Sequence, residues 1–173
     1  MMKACTNAMQ VNLGVNIVLV AAVLAIPAVS ASGIDLHWLW DDRCAACHGH
    51  AGKFSRKFLS ISGGELHGPH HVHNLRQFLH SHYLAGNKVD AIYNMLLAQA
   101  GIQPRFKIEC ASCHDTAAKL VRNSLELRDG VLYSRNSGRP VSRYLGHHME
   151  LNHDDVEFFI SLLTRVAHEV YRP

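Results

Sequence analysis

Apolar residues in this chain fall into one continuous block and several periodic ones. The block runs over 15–26 and is interrupted only by Asn16. Further along, Val156, Phe159, Ile160, Leu163, Val166 and Ala167 recur at the spacing of one helix face, which predicts a helix over 154–170. Asp154 and Asp155 at its start suit the positive end of a helix. A second helix is predicted over 89–100, with Met95 in its apolar stripe, and Gly101-Ile102-Gln103-Pro104 closes it. Shorter helices are expected over 51–60 and 117–127, broken before Gly64 and Gly130, where the backbone must turn. Loops should follow each of them. No run of alternating strand residues stands out, so the expected fold class is all-α.

The apolar block carries an address. Lys3 supplies a sparse positive start, 15–26 the apolar stretch, and Val29-Ser30-Ala31 the small residues a signal peptidase needs. Residues 1–31 therefore read as a secretory signal peptide. The stretch is short for a membrane span, and no cluster of charges follows it. Uncleaved, it would anchor the chain to a membrane; cleaved, it takes Cys5 with it. Either way the chain is exported, and the periplasm is the expected compartment.

The 173 residues suit one or two small domains. A formal charge of +3, falling to +2 without Lys3, gives no basic field for nucleic acid. What stands out is 14 histidines, the commonest metal-binding side chain.

Beyond Cys5, four cysteines remain, as Cys44-Ala45-Ala46-Cys47-His48 and Cys110-Ala111-Ser112-Cys113-His114. Each segment is C-x-x-C-H, the attachment sequence of haem c. Two thiols three residues apart can both reach the vinyl groups on one edge of a porphyrin, and the histidine that follows can offer its imidazole to the iron. A zinc ribbon would place its cysteine pairs about 15–20 residues apart and leaves both histidines unexplained. A thioredoxin-like redox site wants a βαβ pattern, and structural disulfides are a further reading in an oxidising compartment.

The two motifs are offset by 66 residues, and sliding the chain on itself by that offset aligns much more than the motifs. Lys53/Lys119, Arg56/Arg122, Leu59/Leu125, Gly64/Gly130, Leu66/Leu132, Leu79/Leu145 and His82/His148 coincide, and Phe78/Tyr144 and Tyr93/Phe159 keep aromatic character. The chain reads as a duplicated unit, 32–104 and 105–173. Outside the motifs one histidine recurs in register: His82, matched by His148, each 34 residues after its motif histidine. These are the expected distal iron ligands, with His48 and His114 proximal. Surface histidines on matching helices are the alternative. Met149 is a rival ligand for the second haem, because methionine is a common sixth ligand; His80 and His147 are weaker rivals that do not recur.

Three other features remain open. Lys53/Arg56 and Lys119/Arg122 each share a helix face and could pair with haem propionates or face solvent. Trp38 and Trp40 could pack on a haem edge or in an ordinary core. The segment 67–73, with His67, His70, His71 and His73, could bind copper or zinc, offer a ligand to the first haem, or form a polar loop.

At the two attachment motifs and the distal histidines, the chain resembles the dihaem c-type cytochromes. Over about 34–170, the order of helix, C-x-x-C-H, loop, distal ligand and helix is similar to a class I cytochrome c lobe used twice. A 66-residue unit is short for that lobe, and a distal histidine departs from its methionine. The resemblance implies two haem c groups, one-electron transfer instead of enzymatic turnover, and redox proteins as donor and acceptor. A gas-binding or sensory haem protein, a subunit of a larger oxidoreductase and a small haem peroxidase or reductase are the alternatives.

Overall fold

The computed structural model describes residues 33–69, 75–148 and 150–172. The expected signal segment 1–31, Met149 and His70, His71 and His73 lie outside the described residues. The chain opens on α1 (Leu36–Arg43), α2 (Ala45–His48) and α3 (Ala51–Phe58). A short hairpin, β1 (Ser60–Ser62) and β2 (Glu65–His67), precedes α4 (Leu75–Ser81) and α5 (Asn87–Gly101). A π-helical turn over Phe106–Cys110 leads to α6 (Ala111–His114) and α7 (Ala117–Ser124). Then come β3 (Leu125–Arg128), β4 (Val131–Ser134), α8 (Val141–Leu145) and α9 (His153–Val170). From α2 onward the second half repeats the order of the first. Among the described residues, no helix is long and apolar enough to cross a membrane.

Side-chain caps set where several helices begin. The His50 ring accepts from the Gly52 N–H to start α3, and Thr116, at the matching position, accepts from the Lys119 N–H to start α7. Asn152 caps α9 by accepting from the Asp155 N–H, with Asp154 and Asp155 in the first turn. The two long helices start one or two residues before the expected bounds and end within one residue of them.

The expected all-α class is corrected by two antiparallel hairpins, β1–β2 and β3–β4. Helices α3 and α7 stop at Phe58 and Ser124, short of the bounds read from sequence, because Leu59 and Leu125 turn to extended backbone. Gly63-Gly64 and Asp129-Gly130 then form two-residue turns between Ser62↔Glu65 and Arg128↔Val131. All four turn residues have positive φ, 58° and 78° in the first hairpin and 48° and 78° in the second. Such turns match the right-handed twist of a hairpin. Each hairpin folds back so that one leucine, Leu66 or Leu132, is only 2 % exposed. Strands this short show too little alternation to be visible as a pattern. The segments before the distal histidines, expected as loops, contain the short helices α4 and α8.

Each half has its own apolar core. In the first, α3, α4 and the hairpin pack on α5, burying Leu75, Leu79, Ile92, Met95 and Leu96. In the second, α7, α8 and the hairpin pack on α9, burying Val121, Leu132, Leu145, Phe159 and Leu163. Helix α1 joins the halves, packing on both α5 and α9. Asp35 caps α1 through the His37 and Trp38 N–H groups and also takes the Arg122 guanidinium of α7, Nε to Oδ2 at 2.5 Å. Two residues on, the His37 ring meets the buried Glu169 carboxylate of α9 at 2.7 Å. Arg165 holds that carboxylate from the other side at 2.5 Å.

The turn glycines give a matched test. A Cβ at Gly64 or Gly130 meets nothing within 4 Å, so the cost of alanine there is backbone strain alone. Gly64→Ala and Gly130→Ala are each expected to destabilise the protein by about 1–2 kcal/mol, read from chemical denaturation curves. Unaltered stability in either variant would contradict the turn geometry.

Candidate functional site

Each C-x-x-C-H segment forms a single helical turn. Cys44 stands at the junction of α1 and α2 with φ −121° and ψ −33°, and Cys110 precedes α6 with φ −118° and ψ −24°. The His48 N–H donates to the Cys44 carbonyl at 2.9 Å, closing the turn. In a turn of this kind, positions i, i+3 and i+4 share one face. The two thiols and the imidazole of each motif are therefore presented together. None of the four cysteines is in a disulfide; Cys47 and Cys113 are exposed, Cys44 and Cys110 half-buried. Burial pushes the Cys44 and Cys110 thiols above their ordinary pKa; Arg43 partly offsets this at Cys44, while Glu109 adds to it at Cys110. After each histidine the chain must swing away to begin the next helix. It does so through backbone of positive φ at Gly49 (φ 67°, ψ −157°) and Asp115 (φ 62°, ψ −91°).

The first motif histidine is braced by aromatic rings. Trp40, buried, donates its Nε1–H to the Gly49 carbonyl at 2.8 Å, and its ring lies 6.1 Å from that of His48. Phe54 of α3 meets His48 edge-on at 4.6 Å. The Trp40 position thus goes to the core and the turn, while Trp38 is 70 % exposed.

The repeat-matched histidines approach from the other side. His82 follows α4 and donates its N–H to the Leu79 carbonyl at 3.1 Å; His148 follows α8 and donates to the Leu145 carbonyl, also at 3.1 Å. Each ring stacks on the aromatic residue four positions earlier, His82 on Phe78 and His148 on Tyr144, with centroids 4.7 Å apart in both cases. This placement sets His82 opposite His48 with ring centroids 6.0 Å apart and planes at 61°. It sets His148 opposite His114 at 6.1 Å and 53°. The rivals His80 and His147 are exposed.

These distances can be compared with what a metal requires. A metal–nitrogen bond of about 2.0 Å, plus roughly 1.1 Å from nitrogen to ring centre, puts two axial imidazoles about 6 Å apart across one ion. Both pairs fit that spacing, and imidazole is a donor for iron, zinc, copper or nickel. Burial, then the neighbouring His82, holds the His48 pKa below its ordinary value, which favours the neutral imidazole that metals bind. Around His114 and His148 lies an apolar pocket lined by Leu120, Leu125, Val141, Leu145, Phe159 and Leu163, with Cys110 at its margin. Among the described residues, no group of three or more His, Cys, Asp and Glu side chains converges as a cage. His67 lies in β2, its ring 3.3 Å from the Ser62 carbonyl.

The basic pairs behave differently in the two halves. Arg122 is committed to Asp35 and Lys119 to Asp115, at 2.8 Å. Arg56 donates to a backbone carbonyl, that of Gln99, at 3.2 Å, and Lys53 is exposed. Sequence reading missed Asp35, Phe54 and the stacking role of Phe78 and Tyr144. Only the last left a signal, aromatic character four residues before each recurrent histidine.

The chain matches no protein-family model, no curated protein and no solved structure. Its functional reading rests on its own residues. Trp40→Phe, which loses the bond to Gly49 but keeps a ring, is expected to cost about 1 kcal/mol. Trp40→Ala should cost about 3–5 kcal/mol, and Trp38→Phe no more than about 0.5 kcal/mol. Urea unfolding followed by circular dichroism measures all three.

Proposed function

We propose that this chain is an exported, periplasmic dihaem c-type cytochrome that carries electrons singly between redox proteins. The observation that carries the reading is the repeated approach of two imidazoles at 6.0 and 6.1 Å, each beside a turn presenting two thiols. In this reading, Cys44 and Cys47 hold one haem c and Cys110 and Cys113 the other. His48 and His82 would hold the iron of the first haem, and His114 and His148 that of the second. A bound haem supplies an iron that gains and loses one electron.

The chain's own residues explain why such a centre would transfer electrons and not bind substrate. With two imidazoles to hold each iron, no ligand would need to enter or leave when an electron is gained or lost. Phe78 and Tyr144 hold the distal rings by stacking, which limits the reorganisation accompanying each transfer. Two nitrogen ligands also keep the potential lower than a histidine–methionine set would. The apolar lining of the second site keeps water from the iron. Tyr83, 81 % exposed and against His82, and Tyr144, 60 % exposed and stacked on His148, put aromatic surface at both distal sides, where a partner would dock transiently. The export segment 1–31 underlies the periplasmic assignment.

The protein as purified from an exporting host is expected to carry a mass increase of two haems that survives denaturation. Its absorption spectrum should be low-spin in both oxidation states and unchanged by CO. His82→Ala and His148→Ala should each turn one haem high-spin and CO-reactive while both remain attached. Spectra unaltered by both substitutions would remove the axial assignment. CO binding to the unaltered protein would redirect the reading to a gas-binding or sensory protein.

A further inference from the structure

We infer that the cleft between the two halves is a binding site for a small polyvalent oxyanion, held by Arg56, Lys53 and Lys107. The cleft has a volume of about 460 Å³, within the range of small-molecule sites. It is walled by α1 and α3 on one side, by α7 and α9 on the other, and by the segment that joins α5 to α6. None of the four cysteines or the four facing histidines lines it.

Its charge is unbalanced in a specific way. Five lysines and arginines reach its wall, but two are already neutralised, Arg122 by Asp35 and Arg165 by Glu169. The carboxylate of Asp115 is likewise taken by Lys119. Among the described residues, Lys53, Arg56 and Lys107 have no carboxylate partner, and Asp41 is the remaining acid on the wall. Three cations face one anion across a concave surface.

Arg56 is the most telling of the three. It is half-buried, and burial pushes its pKa down with no carboxylate to oppose the effect. A partly desolvated charge without a counter-charge is costly unless something supplies one. Its guanidinium spends one N–H on the Gln99 carbonyl and keeps the rest of its donor fork for another acceptor. Gly52 makes this position possible. A Cβ there would lie 3.2 Å from both terminal nitrogens of Arg56 and 2.9 Å from the Gln99 side-chain oxygen. The matching residue in the second half is Ala118, and the matching arginine, Arg122, turns to Asp35 instead. The first half has kept an open shelf with a forked cation on it. Forked guanidinium geometry with flanking ammonium groups suits carboxylate and phosphate oxygens.

The location gives the site a consequence, which rests on the cytochrome reading above. The wall includes Trp40, Asp41 and His50 around the first attachment turn and Lys107, Ala111 and Asp115 around the second. An anion in the cleft sits beside both centres. It would favour the oxidised state, which carries more positive charge, and oxidation would in turn tighten its binding.

The test is calorimetric titration of the purified full chain, as isolated, with citrate and separately with inorganic phosphate at constant ionic strength. One site per chain is expected, binding at least tenfold more weakly in Arg56→Gln and in the double variant Lys53→Gln/Lys107→Gln. The lysines are exposed, so the double variant keeps the fold if Arg56→Gln does not. Binding of citrate but not phosphate identifies a carboxylate ligand, and the reverse a phosphate; either supports the site. Binding of neither anion overturns it, as when haem propionates already occupy the cations, and so does binding unchanged in a folded variant. Potentiometric titration of the haems at zero and saturating anion then reads the linkage. A tenfold preference for the oxidised form lowers a one-electron potential by 59 mV. Calorimetry does not depend on haem, so a chain that binds citrate but lacks haem retains the anion site and loses the cytochrome reading.

Discussion

Two imidazoles facing each other across about 6 Å do not stay there without support, because they do not bond to each other and both are partly solvated. The remainder of each half can be understood as a clamp on that gap. On the proximal side, a hydrogen-bonded turn fixes the backbone of the histidine, and in the first half Trp40 and Phe54 fix its ring. On the distal side, the histidine is the first or third residue past a short helix, and a stacked aromatic ring four positions back sets its orientation. Helices α3 and α4 both pack on α5, and α7 and α8 both pack on α9. The longest helix of each half is thus the frame, and the hairpin with its buried leucine closes the space between.

The two halves match in their frame and differ at their margins. Cap, turn and stack recur at matching positions even where residue types differ: His50 and Thr116 both cap, Gly49 and Asp115 both turn. Elsewhere the copies diverge in ways that serve the whole chain. Tyr93 uses its hydroxyl to accept the Leu66 N–H at 2.8 Å. Its counterpart Phe159 cannot, and Tyr171 supplies hydroxyl contacts to Val121 and Leu125 in the second half instead. Gly52 and Ala118 differ by one methyl group, and the arginine four residues on lies over the first turn of α3 in the first half but turns to Asp35 in the second.

The legibility of all this from sequence follows from range. The C-x-x-C-H turns depend on five consecutive residues and the facing of His82 and His148 on a repeat, so both leave marks that can be read along the chain. The long helices were legible because Val166 or Ile92 belongs to a stripe of many residues. The hairpins were not, because strands of three or four residues offer only one or two alternations. Asp129-Gly130 between Leu125-Glu126-Leu127-Arg128 and Val131-Leu132-Tyr133-Ser134 was nonetheless a hairpin signal; it was read instead as a helix break. The partnership of Asp35 with Arg122 spans 87 residues and has no local signature. It was this distant contact that decided which of two identical-looking basic pairs was already occupied.

That same contact makes the chain a closed clasp. The carboxylate that starts the first described helix is shared with α7, and the first turn of that helix is fastened to Glu169, 132 residues away on α9. A helix of eight residues is marginal alone; α1 packs on α5 within the first half, and its polar fastenings form only when α7 and α9 are present. During synthesis, that part of its anchoring must wait for the second half. Folding of the two halves can proceed locally and fast, but closing the clasp is a long-range step that comes after both.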